Sequence, residues 1–311
     1  MEDLMQVHNL IIMSDYHLSV MLRECVEALK VHSDGVYVDL TFGAGGHSKS
    51  ILKNIGAKGH LYSFDQDDDA EKNAFKDDRF TFVKANFRYI KKFLRLHGVK
   101  QVDGILADLG VSSHQLDFPE RGFSYRFDAP LDMRMNVKSK KTAAHILGDY
   151  SQGDLQDIFS RYGEVRNSRT LSKAIVEERS VAPIETTFEL NEILARYRIG
   201  PMPKYYAQVY QALRMEVNEE IKVLEEMLKG AYEVLRPGGR MVVMTFHSME
   251  DRPVKNFFKT GNVDGEVIKD DFGKIDRPWK LINKKVITAT KEELKENSRS
   301  KSAKLRIAEK I

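Results

Sequence analysis

Three carboxylates stand where apolar runs end: Tyr37-Val38-Asp39, Leu61-Tyr62-Ser63-Phe64-Asp65 and Gly104-Ile105-Leu106-Ala107-Asp108. Between the first two lies a glycine-rich turn, Gly43-Ala44-Gly45-Gly46-His47-Ser48, and Asp65 follows Gly45 by twenty residues. Glycine lets a backbone approach a ligand closely, and an acid at the end of the second strand accepts hydrogen bonds from ribose hydroxyls. The layout is that of a nucleotide pocket at the carboxyl end of a parallel sheet.

Charge narrows the ligand. A dinucleotide loop reads Gly-x-Gly-x-x-Gly, but here the third position is Ser48, and Asp39 stands ahead of the loop. A pyrophosphate is repelled by that acid. A ligand with an amino group and a sulfonium is attracted to it in a partly dry cleft. S-adenosylmethionine is therefore expected ahead of NAD. A turn that merely joins strand to helix is the bland alternative, and Asp65 weighs against it.

Asp108 leads into Leu109-Gly110-Val111-Ser112-Ser113. Its strand end should face the reactive end of the cofactor, where it could bind an amino group or hold the substrate. Ser112 or Ser113 could equally be a helix N-cap. Arginines alternate with aromatics from Arg121 to Met135, as in a loop that stacks a base and grips its phosphates, although an ordered surface loop would read the same way. Thr245-Phe246-His247-Ser248-Met249-Glu250-Asp251 lacks a nucleophile elbow, so His247 and Asp251 are read as shaping the site. His8, His17, His32 and His47 have no metal-ligand spacing, which argues against a metal.

These residues need a scaffold. Strand patterns fall at Val36–Leu40, His60–Phe64, Phe80–Val83 and Gly104–Ala107, with helices such as Ser48–Asn54 and Arg88–His97 between them. The alternation predicts a doubly wound parallel α/β sheet. The next strand pattern, Arg240–Phe246, comes more than 130 residues after Asp108, and a crossover needs only a few tens. The excess reads as helices at Thr142–Leu147, Gln152–Tyr162, Asn167–Glu178, Thr187–Arg196 and one long helix, Tyr205–Leu228. A helical subdomain, 117–205, is thus expected as an insert overhanging the site, within a catalytic domain of 1–116 and 206–311. Lys285–Thr290 and Lys304–Ala308 are two further strand candidates.

The 311 residues, 42% apolar, suffice for a sizeable core, and Cys25 is the only cysteine, so no intrachain disulfide forms. Cys25 lies in an amphipathic stretch and reads as a small buried residue. A net charge of +3 does not by itself imply a nucleic-acid partner. Six basic against two acidic residues between Arg121 and Lys141, and nine against four from Lys284 to Ile311, would suit phosphates or form a solvated face. Neither a signal peptide nor a membrane-spanning run is found, so a soluble cytoplasmic protein is expected.

The motifs occur together in a recognisable order: Thr41-Phe42-Gly43-Ala44-Gly45-Gly46-His47-Ser48, Asp108-Leu109-Gly110-Val111-Ser112-Ser113, Arg121-Gly122-Phe123-Ser124, Pro130-Leu131-Asp132-Met133-Arg134-Met135 and Thr245-Phe246-His247-Ser248-Met249-Glu250-Asp251-Arg252. With Tyr16-His17-Leu18-Ser19-Val20-Met21-Leu22 and the tail Ser302 to Glu309, the chain resembles the ribosomal small-subunit methyltransferase H family, also called MraW, over nearly its whole length. The resemblance implies a Rossmann-like class I methyltransferase fold. It implies N4-methylation of a cytidine in the decoding centre of 16S rRNA, with S-adenosylmethionine as donor. It implies cofactor contacts at Gly45, Gly46, His47, Asp65, Phe87, Asp108 and Gln115.

Asp108, Asp132 and His247 are the candidates for handling the substrate. The family pattern departs at His114, at Pro201-Met202-Pro203-Lys204-Tyr205 and at Asn297-Ser298-Arg299-Ser300, and 260–279 matches no motif. Three rival readings stay open: a nicotinamide oxidoreductase, a non-catalytic RNA-binding assembly factor that keeps the pocket, and a methyltransferase acting on DNA or protein. The sequence leaves monomer and homodimer open.

Overall fold

The apolar runs gather into one seven-stranded sheet in the computed structural model, which describes residues 19–110, 119–269, 271–273, 275 and 277–311. The chain enters through helix α1 (Leu22–Leu29) and strand β1 (Val36–Asp39), then α2 (Gly46–Leu52), β2 (His60–Asp65), the single turn α3 (Asp68–Glu71) and β3 (Phe80–Lys84). A 3-10 turn, Phe87–Tyr89, leads to α4 (Ile90–Leu96) and β4 (Val102–Asp108). Five helices follow: α5 (Ala143–Asp149), α6 (Gln152–Arg161), α7 (Ser168–Arg179), α8 (Thr187–Tyr197) and α9 (Met202–Val217). The chain then returns through α10 (Glu220–Val234), β5 (Leu235–Thr245), α11 (Ser248–Thr260), β6 (Trp279–Leu281), α12 (Lys291–Glu296) and β7 (Lys304–Lys310).

Strand order is β3-β2-β1-β4-β5-β7-β6. The first five strands run parallel, and β7 is antiparallel to both β5 and β6. The expected doubly wound sheet is therefore present. Its order reverses between β1 and β4, which opens a crevice at their carboxyl ends. Central β4 is buried on both faces at Ile105, Leu106 and Ala107, as a parallel strand between two helix layers must be. One apolar cluster joins that sheet to α4, α10 and α11, and a second joins its other face to α1 and α2. A third, from Phe123 to Val217, is built by the inserted helices and α9.

Capping explains the crisp starts of two inserted helices. Ser151 with Asp154, and Thr186 with Glu189, each form a reciprocal capping box. The long helix expected over Tyr205–Leu228 is two helices instead. Glu219 takes φ 50°, and Asn218 is drawn into other bonds. Its Nδ2 donates to the Met133 carbonyl (2.8 Å), and its Oδ1 accepts from the Met135 N–H (2.7 Å). Hydrophobic periodicity runs through this break because both halves bury the same kind of face.

The tail also differs. Lys285–Thr290 is not a strand, since only Ile287 bridges to Leu305. Asn283 intervenes by taking the Ile307 N–H on its side-chain oxygen (2.7 Å). β5 starts at Leu235, before the expected Arg240, because its pairing with β4 skips from Val102–Leu235 to Gly104–Arg240 across Pro237-Gly238-Gly239. The three-residue edge strand β6 was too short to signal itself by alternation.

Candidate active site

Asp39, Asp65 and Asp108 are the last residues of β1, β2 and β4, so parallel pairing brings all three to one sheet edge. Their jobs differ. Asp39 is fully buried; the Ser48 hydroxyl donates to its Oδ2 (2.6 Å) and the Thr41 N–H to its Oδ1 (3.1 Å). Ser48, standing where a dinucleotide loop has its third glycine, thus satisfies a buried carboxylate from the first turn of α2, and it also bonds Ser63 Oγ (2.7 Å). Asp39 reaches a ligand through its field, with both oxygens committed to the loop.

Asp65 accepts the Gly43 N–H (2.9 Å) and the Asp67 N–H (2.9 Å), so it shapes the loop and keeps lone pairs for a ligand. Burial pushes its carboxyl up to about 6 against the pull of those two N–H groups, with the charges of Asp67 and Asp39 adding to the rise. Gly45 sits at φ +79°, and a methyl group there would lie 2.8 Å from Phe75 and 2.9 Å from Phe42. Gly43, at φ +52°, faces open space. The turn is closed on one side by aromatic rings and open on the other.

Asp108 is the most exposed to electrostatic conflict. Burial raises its carboxyl well above the usual range, and the charges of Asp39 and Glu250 raise it further. Its N–H donates to Thr41 Oγ1 (2.7 Å). Among the described residues, its Oδ1 is buried without a hydrogen-bond partner. Its Oδ2 lies 3.8 Å from Nδ1 of His47, whose Nε2 bonds the Val20 carbonyl (3.1 Å). Burial lowers the His47 imidazole, so burial works against the charged form of both groups. His47 is held in place by the Val20 carbonyl.

The end of β5 adds a second cluster. The Phe246 N–H donates to Glu250 Oε2 (2.8 Å), and Glu250 Oε1 lies 3.1 Å from His247 Nε2. Arg214 grips Glu220 with Nε (2.7 Å) and Nη2 (2.9 Å), and its Nη2 lies 3.4 Å from His247 Nε2. Burial opposes the charge on Glu250, but His247 and Arg214 win and hold its carboxyl low. Glu250, the nearer of the two, favours a proton on His247 Nε2, where Arg214 Nη2 can only donate, and Nδ1 is buried with no partner among the described residues. Among the described residues, Glu220, His247 and Glu250 bring one ligand atom each within 4.8 Å of one another. Histidine spacing along the chain could not reveal this group. Arg214 already supplies the positive charge there.

The remaining expected residues fall as follows. Phe87 opens the turn after β3 and packs on the sheet core, two residues beyond Ala85, whose N–H donates to the Asp65 carbonyl (2.9 Å). Asp132 has both oxygens taken by Arg134, from Nε (2.7 Å) and Nη2 (2.6 Å), which holds its carboxyl low against burial. Gln115 lies outside the described residues. Arg121, which the sequence placed in a loop read as gripping phosphates, instead ties that loop to the turn after β2, a pairing the sequence did not reveal. Its Nη1 donates to Asp67 Oδ2 (2.6 Å) and its Nη2 to the Arg134 carbonyl (2.6 Å). Sequence reasoning missed Arg214 and Glu250, whose meeting depends on the α9–α10 break and on β5.

An unpaired buried acceptor on Asp108, an acid with spare lone pairs on Asp65, and three carboxylates at one edge fit a cationic nucleoside with an amino group. On this sheet, that edge defines an S-adenosylmethionine-dependent methyltransferase of class I. The chain belongs to the MraW methylase family, whose model matches residues 14–311. It is similar to the ribosomal RNA small subunit methyltransferase H of Parabacteroides distasonis, at 53% identity over 300 residues, covering 96% of this chain and 98% of that protein. The protein of the same name from Phocaeicola vulgatus is 54% identical over 296 residues, covering 95% and 97%. That of Flavobacterium johnsoniae is 52% identical over 298 residues, covering 96% and 98%.

Proposed function

We propose that the chain methylates the N4 amine of a cytidine in 16S rRNA of the small ribosomal subunit. The observation that supports this best, in a chain of this family, is a pair of buried acceptors without partners among the described residues: Asp108 Oδ1 at the end of β4, for the cofactor's amino group, and His247 Nδ1 just past β5, for the cytosine amine. An exocyclic amine carries two N–H bonds and needs such acceptors.

Bound S-adenosylmethionine supplies an electrophilic methyl group on a sulfonium. Asp65 would hold the ribose hydroxyls and Asp108 the amino group, with Gly43 and Gly45 admitting the ligand to the backbone and Phe87 beside the adenine. The cytosine amine is a weak nucleophile because its lone pair is delocalised into the ring. The chain's task is to fix that nitrogen and accept one of its hydrogens, and positioning supplies much of the rate. His247, held by Glu250, offers Nδ1 for this. A strong base is unnecessary, because the methylated amine is itself very acidic. The target base leaves its stack to enter.

The segment 117–205 acts as the substrate-selecting insert on a methyltransferase domain of 1–116 and 206–311. Asp132, through Arg134, shapes the insert's loop, and Arg121 links that loop to the cofactor turn. Among the described residues, no helix is long and apolar enough to cross a membrane. A cytoplasmic place of work is inferred from the proposed ribosomal RNA substrate alone.

The test is transfer of labelled methyl to small subunits lacking the modification, with already modified subunits as the control. Label should enter 16S rRNA of the former alone. Equal labelling of both, or labelling of protein, would overturn the reading.

A further inference from the structure

Helix α11 starts at Ser248 beside His247, with Glu250 in its first turn, and carries Arg252, Lys255 and Lys259 along its length. The spacing of three and four residues puts them on one helix face, and all three are exposed. From Glu250 to Lys259 the helix extends about 13 Å. Between this face and the β6–β7 edge lies a groove of about 250 Å³ lined by Lys255, Lys259, Lys284 and Arg306, over a floor that includes Phe258 and Leu281. Among the described residues, no carboxylate lines it. The nearby acid, Asp251, is taken by Arg306 (2.6 Å).

A basic residue in a helix's last turn is ordinary, because it meets the negative end of the helix dipole. That accounts for Lys259 but not for Lys255 in mid-helix or Lys284 across the groove. With Arg306 neutralised by Asp251, the three cations without a carboxylate partner among the described residues, Lys255, Lys259 and Lys284, repel one another and call for polyanion charge.

We infer that this groove binds the RNA backbone on the flank of the target nucleotide, its cations neutralising successive phosphates as the strand leaves the active site along α11. The inference rests on RNA being the substrate.

The test compares wild type with the triple variant Lys255→Gln, Lys259→Gln, Lys284→Gln for binding to small subunits lacking the modification, across a salt series. Losing three phosphate contacts should lower the slope of log K against log salt by about 2, which is about a hundredfold in affinity near 0.1 M salt. S-adenosylmethionine affinity and the maximal rate at saturating subunit should hold, and the triple Lys→Arg variant should bind like wild type. An unchanged slope and affinity in the Gln variant, while wild type binds and methylates, would overturn the groove alone. Groove-dependent binding by a wild type that transfers no methyl would support the groove and sink the proposed reaction. Wild type that binds no subunit would overturn both.

Discussion

Asp108→Asn separates a binding role from a structural one, because the two predict opposite signs. In the free protein the Asp108 carboxyl is buried, raised well above its usual range, and short of a partner on Oδ1. A carboxyl raised on folding contributes stability that is present below its unfolded value and is lost as pH rises through the folded value. Asn cannot ionise and keeps the shape, so the free variant should be at least as stable as wild type at pH 8, with the advantage shrinking as pH falls. Cofactor binding moves the other way. A hydrogen bond to a charged acceptor is worth about 1.5–3 kcal/mol, so affinity for S-adenosylmethionine should fall by roughly 10- to 150-fold. A thirtyfold loss removes about 2 kcal/mol of ligand-induced stabilisation at a fixed saturating concentration. Calorimetric titration with denaturation in the presence and absence of cofactor reads both quantities. A variant that loses stability when free but keeps its cofactor affinity would refute the reasoning and make Asp108 a structural residue.

Three further outcomes follow from the same edge. Cofactor affinity should climb between pH 5 and 7 as Asp65 ionises near 6, by up to about tenfold per unit below that value, and Asp65→Asn should flatten the rise; a flat wild-type profile would count against Asp65 as a contact. Gly45→Ala should cost about 2–4 kcal/mol, from a left-handed backbone and collision with Phe75 and Phe42, whereas Gly43→Ala meets no neighbour and should cost only about 1–2, as chemical denaturation would show. Equal costs would mean the aromatic wall yields. Arg121→Gln removes the guanidinium's bonds to Asp67 and to the Arg134 carbonyl, so it should cost about 2–3 kcal/mol and raise hydrogen exchange in 130–140 together with the cofactor dissociation constant; exchange confined to the insert would show that the two loops are not linked through it.

The cofactor edge was largely legible in the chain because its signals are local. An apolar run ending in an acid, followed by glycines, places Asp39, Gly45, Asp65 and Asp108 by strand length alone. What the chain hid depends on distant pieces. Arg121 and Asp67 are 54 residues apart, and nothing in either neighbourhood marks them as a pair. The break at Asn218-Glu219 carries no glycine or proline, and its cause lies in the Met133–Met135 backbone. Glu250 reads as one more charge on an amphipathic helix until β5 and α9 bring His247 and Arg214 to it. Asp132 shows the converse. Its motif is conspicuous in the chain, while its carboxylate is spent on Arg134 two residues away.

The central claim concerns which atom receives the methyl group. Small subunits lacking the modification would be incubated with the enzyme and labelled S-adenosylmethionine, and their 16S rRNA digested to nucleosides for mass spectrometry. N4-methylcytidine carrying the label is the predicted product, absent when Asp108 and His247 are both replaced. Label on a ring carbon or a ribose oxygen, or no label from enzyme that binds the cofactor normally, would contradict the account.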